Sequence, residues 1–358
     1  MSAEDRRTGL GCVLSRILRY SWRPSPPPHE CLSEQLAAAA PLLVASGAGS
    51  LGWWRVRRSE LRDTPAALDL QDAYRLHALE AILHEREITE VLTFLRGAGV
   101  EPILVKGWAV ARLYPEPGLR PYWDIDLCCR PDQYADAVAA LGRLEHPTYL
   151  VDLHRGLARL DEVNWDELYA RSQVVMIGDV GVRVLSQEDH LRLLCIHLLR
   201  HGAWRPLWLC DIAAVVETRP ADFDWDRCLG RNRRVADWIA CAIGLARRLL
   251  KVPVDDTPVA TRAKHLPRWL VPHVLKQWNS PFPKLHPPRS YGGPLIFYIR
   301  HRRRLLHALR MRWPDPIAAT ITVRGPLNEW PRLPFQIGHY VVKTGEFFAK
   351  LAKLSQTP

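Results

Sequence analysis

Two aspartates one residue apart, Asp124 and Asp126, head an otherwise apolar run, Asp124-Ile-Asp-Leu-Cys-Cys129. An apolar run of this length reads as a buried strand. Strand side chains alternate with period two, so both carboxylates fall on one face. Two carboxylates on one sheet face repel each other unless a cation neutralises them. Hard oxygen ligands at that spacing suit Mg²⁺, which is normally held by one or two carboxylates plus substrate phosphates. The pair therefore asks for a sheet with an accessible strand end. Taken alone, the same pattern also caps strands or faces solvent, so its neighbours decide.

Upstream, the apolar positions Leu76, Leu79, Ile82, Leu83, Ile88, Val91, Leu92 and Leu95 predict a helix over 69–97, ended by Gly97 and Gly99. Pro102-Ile-Leu-Val105 is then a short buried strand, and Lys106 to Tyr114 a short helix stopped by Pro115 and Pro117. A loop over 116–123 leads into the aspartate strand, and Pro131 with Asp132 opens a helix through Leu144. A strand is expected over Thr148–Leu153. It carries Asp152, a third carboxylate if that strand pairs beside the first. His154 is expected on the opposite strand face, in a packing role. Val174–Val184, split by Gly178 and Gly181, predicts a hairpin. Ser186 with Asp189 three residues on opens a helix, and the pattern stays helical to about Lys251. Residues 1–30, ending in Pro24, Pro26, Pro27 and Pro28, are expected as an irregular arm. Beyond Val252 recurrent prolines predict short helices joined by turns.

Together these pieces resemble a family. Val105-Lys106-Gly107, Tyr114-Pro115, Gly118-Leu119-Arg120, Asp124-Ile125-Asp126-Leu127, Asp152-Leu153-His154, then His197, His201 and Trp208-Leu209-Cys210-Asp211 follow in order. The chain is similar over about residues 70–250 to the uncharacterised nucleotidyltransferases of the DNA polymerase β-like superfamily. Cys128 and Cys129 stand where that family usually has aliphatics, a harmless change in a core strand. The resemblance implies an α+β fold: a polymerase β-like nucleotidyltransferase core, a small mixed sheet flanked by helices, with an N-terminal helix and a C-terminal helical region. The expected division is an arm over 1–65, the core over 66–186, a helical domain over 187–256 and a basic tail over 257–358.

The implied chemistry is phosphoryl transfer with two metals. Asp124 and Asp126 would hold Mg²⁺ on the triphosphate of an NTP, and Asp152 would bind a second metal or accept the acceptor's proton. Metals so placed can stabilise both the entering and leaving oxygens of an in-line displacement. Gly107 would let phosphate approach a helix N-terminus. Lys106 would pair the phosphates, and Arg120 would clamp them with its planar fork. The acceptor is open: a small metabolite, a peptide or an RNA end. The alternatives are an inactive fold that binds nucleic acid or another partner, and kinase-like phosphate transfer to a peptide or small molecule.

His190, His197 and His201, spaced by seven and four, share a helical face. With Asp211 they could hold zinc. The surrounding leucines favour packing, or the lining of an acceptor or nucleotide pocket.

The 358 residues carry a formal net charge of +11. Thr257–Trp313 holds twelve Lys and Arg and no acid, while residues 1–256 sum to −3. The excess therefore belongs to one stretch, with Arg300, Arg302, Arg303, Arg304, Arg310 and Arg312 at its centre. It suits an anionic partner such as nucleic acid, a membrane surface or an acidic protein. An overall preference for arginine, 41 against 8 lysines, tempers that argument. Eight cysteines without a C-x-x-C pair fit a reducing cytoplasm. The N-terminus is a poor signal peptide. Gln35–Trp54 is uncharged and of spanning length, but its proline and glycines predict a loosely packed helical segment and no membrane span.

Overall fold

The computed structural model describes residues 9–143, 150–157, 163–280 and 313–354. Helices α1 (Leu10–Leu18), α2 (Ser33–Ala45), α3 (Gly49–Val56) and α4 (Pro65–Gly97) come first. The middle of the chain holds β1 (Ile103–Leu104), α5 (Gly107–Ala111), β2 (Ile125–Cys129), α6 (Tyr134–Leu141), β3 (Val151–Arg155), α7 (Trp165–Arg171), β4 (Gln173–Ile177) and β5 (Val180–Val184). Helices α8 (Gln187–Arg200), α9 (Pro206–Glu217), α10 (Trp225–Leu229) and α11 (Arg233–Leu245) follow, and a π-turn over Ala246–Leu250 extends α11. Then come α12 (Ala260–Lys264), α13 (Leu270–Trp278), α14 (Pro316–Thr322) and α15 (Leu333–Leu354).

The fold is mixed α+β, with a five-stranded sheet in the order β3-β2-β1-β5-β4. β2 runs antiparallel to β1 and parallel to β3, β1 runs parallel to β5, and β4–β5 is the expected hairpin. Strand alternation gives the sheet two different faces. Leu104, Ile125, Leu127, Cys129, Val182 and Val184 pack against Ile88, Val91, Leu92 and Leu95 of α4. Ile103, Val105, Cys128 and Leu185 point the other way, onto Leu168 of α7 and Leu193 and Ile196 of α8. Each buried leucine or isoleucine contributes roughly 1.5–3 kcal/mol.

Helix α4 joins this sheet to a second core. It starts four residues before the expected Asp69, because Thr64 caps it, accepting from the Ala67 N–H, and Pro65 occupies the first turn. Its 33 residues make it about 50 Å long. Ala67 and Leu70 pack into the larger core, shared with α1–α3, α8, α9, α11 and α13, while Ile88–Leu95 serve the sheet. Between them the periodicity misleads: Leu76, Leu79, Ile82 and Leu83 are exposed. The inward face there carries His77 and Ala81 instead, since the 116–123 loop lies directly on the helix. Gly118, at φ 80°, makes that approach possible; a Cβ there would meet the Ala78 nitrogen at 2.4 Å.

Two other expectations change. Residues 10–18 form a helix and not an irregular arm, since Val13, Leu14, Ile17 and Leu18 recur at helical spacing and are buried. The tail is not all short helices: α15 has 22 residues. Gln35–Trp54 folds as α2 and α3, with Leu36, Leu43 and Leu51 buried, and no helix of the described residues is long and apolar enough to cross a membrane. The arginine cluster from Arg300 to Arg312 lies outside the described residues, as do Leu144 and Thr148.

Candidate active site

Asp124 lies just before β2 and Asp126 is its second residue. β3 pairs beside β2 in parallel register, Asp126 opposite Asp152 and Cys128 opposite His154. Asp126 is buried within the sheet, whereas Asp124 and Asp152 are exposed. His154 does not take the opposite face. Two residues along a strand restore the same face, and its Nε2 stands 3.1 Å from Asp126 Oδ1 and 3.2 Å from Asp152 Oδ2. One donor atom from each of Asp126, Asp152 and His154 lies within 4.8 Å of the others. Among the described residues this is the single cluster of three or more such groups, and Asp124 is not part of it.

Lys106 follows β1, at the edge where the Val105 N–H donates to the Asp126 carbonyl at 3.0 Å. Its ammonium forms an ion pair with the Asp126 carboxylate. The backbone at Lys106 has φ 54°, a conformation that costs a non-glycine residue energy and clusters at functional sites. The two aspartates are driven apart electrostatically. Desolvation, followed by repulsion from Asp126, raises the Asp124 pKa, with Lys106 opposing. Burial also disfavours the Asp126 charge, but the His154 hydrogen bond and the Lys106 ammonium outweigh it and lower its pKa. Opposed shifts in neighbouring carboxylates are a common property of catalytic sites.

Gly107 approaches the same strand end: a Cβ on it would stand 3.4 Å from the Asp124 carbonyl. The helix it opens has only five residues, so its dipole is short. Trp108 ties α5 to α4, donating from Nε1 to Glu85 at 2.9 Å.

Arg120, expected to clamp phosphate, is engaged by a carboxylate of the chain itself. Its guanidinium is buried against Asp211 of α9, with Nη2 2.7 Å from Oδ2 and Nε 3.1 Å from Oδ1. Tyr114 donates to the same carboxylate at 2.9 Å. Burial and the Asp211 charge hold the tyrosine pKa well above normal, so it remains a donor. The Gly-Leu-Arg and Trp-Leu-Cys-Asp segments thus meet in one ion pair, which fixes the loop leading into Asp124.

The three histidines divide. His190 is buried, its Nε2 has no hydrogen-bond partner, and burial pushes its pKa down to about 3. His197 and His201 lie ring to ring at 4.5 Å and both contact Trp208, at 4.5 and 5.2 Å. They pack as an aromatic group, and none of the three belongs to the metal-capable cluster.

The sequence reading missed Arg205. Its guanidinium lies 4.7 Å over the ring of Trp123, the residue before Asp124, and 5.7 Å from Trp208. Nε donates to the Ser46 carbonyl at 2.7 Å, Nη2 packs against Gly47, and no carboxylate among the described residues pairs with it. Burial, then repulsion from Arg120, lowers its pKa to about 10. Its position after Trp204, three residues before Trp208, was the available signal: an arginine between aromatics is a stacking site.

A sequence profile described as an uncharacterised nucleotidyltransferase family matches residues 39–251, more than half of the chain. The match takes in the sheet, the carboxylates, Lys106 and the Arg120–Asp211 pair, and it ends at the π-turn. No curated protein and no solved structure gives a significant match. With that span and these carboxylates inside it, the chain belongs to this nucleotidyltransferase family and is a nucleotidyltransferase enzyme.

Proposed function

We propose that the enzyme transfers a nucleoside monophosphate from an NTP to an acceptor hydroxyl at the Asp124–Asp126–Asp152 face, with a divalent cation. The acceptor oxygen bonds to the α-phosphorus, the bond from that phosphorus to the bridging oxygen breaks, and pyrophosphate leaves with the electron pair. The acceptor's proton passes to a carboxylate, and the exposed Asp152 is placed to take it. The observation that carries this reading is the parallel register setting Asp126 beside Asp152, with His154 against both.

The donor set fits a cation: two carboxylates and an imidazole converge within 4.8 Å, and Asp124, outside that cluster, lies near enough for the Asp126 charge to raise its pKa. Asp124, Asp126 and Asp152 would hold Mg²⁺, with His154 orienting Asp126. Such an ion supplies positive charge that offsets the triphosphate and the developing charge on the leaving group. Lys106 neutralises Asp126 in the free chain and would be available to the phosphates with a cation held by the carboxylates. Arg205 holds Trp123 across the approach to Asp124. Arg120 acts at one remove, holding the loop through Asp211.

The test is NTP turnover with labelled α-phosphate by wild type, Asp126→Asn and Asp152→Asn. Loss of more than a hundredfold in pyrophosphate release is expected for each. Release at the wild-type rate in both variants overturns the site. Mass spectrometry of the modified acceptor must show an added nucleotide; an added phosphate alone overturns nucleotidyl transfer in favour of kinase-like chemistry.

A further inference from the structure

A concave site of about 710 Å³ lies between α1, the π-turn, α12 and α13. It shares no residue with the carboxylate face. Arg19, Arg247, Arg248, Lys251, Lys264 and Arg268 line it over an apolar floor that includes Leu266, Val271 and Leu275. No lining side chain is acidic and none is aromatic. At its rim Asp255 meets Lys264 at 2.8 Å and Arg247 at 3.9 Å. Among the described residues Arg19, Arg248 and Lys251 form no ion pair, and Arg268 meets a carboxylate only through its backbone N–H, which donates to Glu329 at 2.8 Å.

The cluster is assembled from distant segments and held by the backbone. The Leu249 carbonyl of the π-turn accepts from Ser15 Oγ at 2.7 Å and from Arg19 Nε at 3.3 Å, across 234 and 230 residues. Lys251 then ends the turn in the left-handed region, at φ 65°, where glycine is usual. π-turns and such non-glycine residues concentrate at functional sites. Burial, then repulsion from Arg19, Arg248 and Arg247, lowers the Lys251 pKa. Like charges crowded in a concavity are relieved by an anion. The volume suits a small ligand. The lack of a ring leaves a nucleobase without a stacking partner, which disfavours single-stranded nucleic acid.

We propose that this pocket binds a compact multi-phosphate anion without an aromatic base. The inference does not rest on the reaction assigned to the carboxylates. The probe is inorganic tripolyphosphate, titrated by calorimetry into the full chain in EDTA at low and moderate salt. Saturable binding is expected. Arg248→Gln with Lys251→Gly should weaken it at least tenfold, since Arg248 is exposed and glycine is the natural occupant of the left-handed position. Asp126→Asn should leave the affinity unchanged. Absence of binding, or equal affinity in the double variant with its far-ultraviolet dichroism intact, overturns the proposal. So does loss of affinity in Asp126→Asn alone, or displacement of tripolyphosphate by a single-stranded oligonucleotide that the double variant no longer binds.

Discussion

Arg120 and Asp211, 91 residues apart, form a buried two-point ion pair, their side chains 6 % and 0 % exposed. The pair fastens the loop in front of β2 to the helical region behind it. The geometry satisfies both charges: Tyr114 adds a third hydrogen bond to the carboxylate, and a remaining guanidinium N–H reaches the Pro121 carbonyl at 3.4 Å.

Removing one partner should therefore cost far more than removing both. Asp211→Asn leaves a buried guanidinium uncompensated, a loss of about 3–5 kcal/mol. Arg120→Met with Asp211→Leu should recover much of that stability by apolar packing, yet remain poorly active because the loop has lost its anchor. Urea unfolding and pyrophosphate release, measured on both variants, check the two halves. Equal stability of the single and double variants would refute the argument.

His154 touches two carboxylates at once, and its removal should act on the cation more than on the fold. His154→Ala is expected to raise the concentration of Mg²⁺ or Mn²⁺ needed for half-maximal turnover about 10–100-fold, with a smaller effect at saturation. A metal titration of steady-state rate reads this directly. An unchanged metal requirement would place the imidazole outside the cation's surroundings.

His190 makes stability depend on pH. Its folded pKa of about 3 lies below the unfolded value of 6.5, so the unfolded chain binds the extra proton as pH falls. The stability due to its neutral form is therefore fully present above the unfolded pKa and is lost as pH drops below about 6.5, on towards 3. At pH 5 the loss is about 2 kcal/mol. Desolvation is the main cause, with Arg112 and Arg120 adding repulsion. His190→Leu should flatten the difference in unfolding free energy between pH 7 and pH 5 by that amount. Parallel pH profiles for wild type and variant would contradict it.

Legibility followed distance along the chain. The hairpin, the sheet-facing half of the α4 helix and the buried aspartate strand were readable, because alternation, capping and helical spacing act within a few residues. The four outward leucines and isoleucines of α4 were misread for the same reason: periodicity finds an apolar stripe but does not say which neighbour covers it. His154 needed only the strand period applied once more. Arg120 had the right chemistry for phosphate, and no local rule signals that a buried carboxylate 91 residues away will claim it.

The charge follows the same division. The sequence by itself placed the excess in Thr257–Trp313, whereas the cationic pocket draws Arg19, Arg247, Arg248 and Lys251 from the segment whose net charge is −3. Short-range stereochemistry, written in the sequence, determined the strands, the helices and the first two carboxylates. The tertiary structure alone decided that Asp152 and His154 stand beside Asp126, that Asp211 takes Arg120, and that the basic side chains share a hollow. Those pairings form only when burial of the two apolar cores brings segments together that have no local reason to meet.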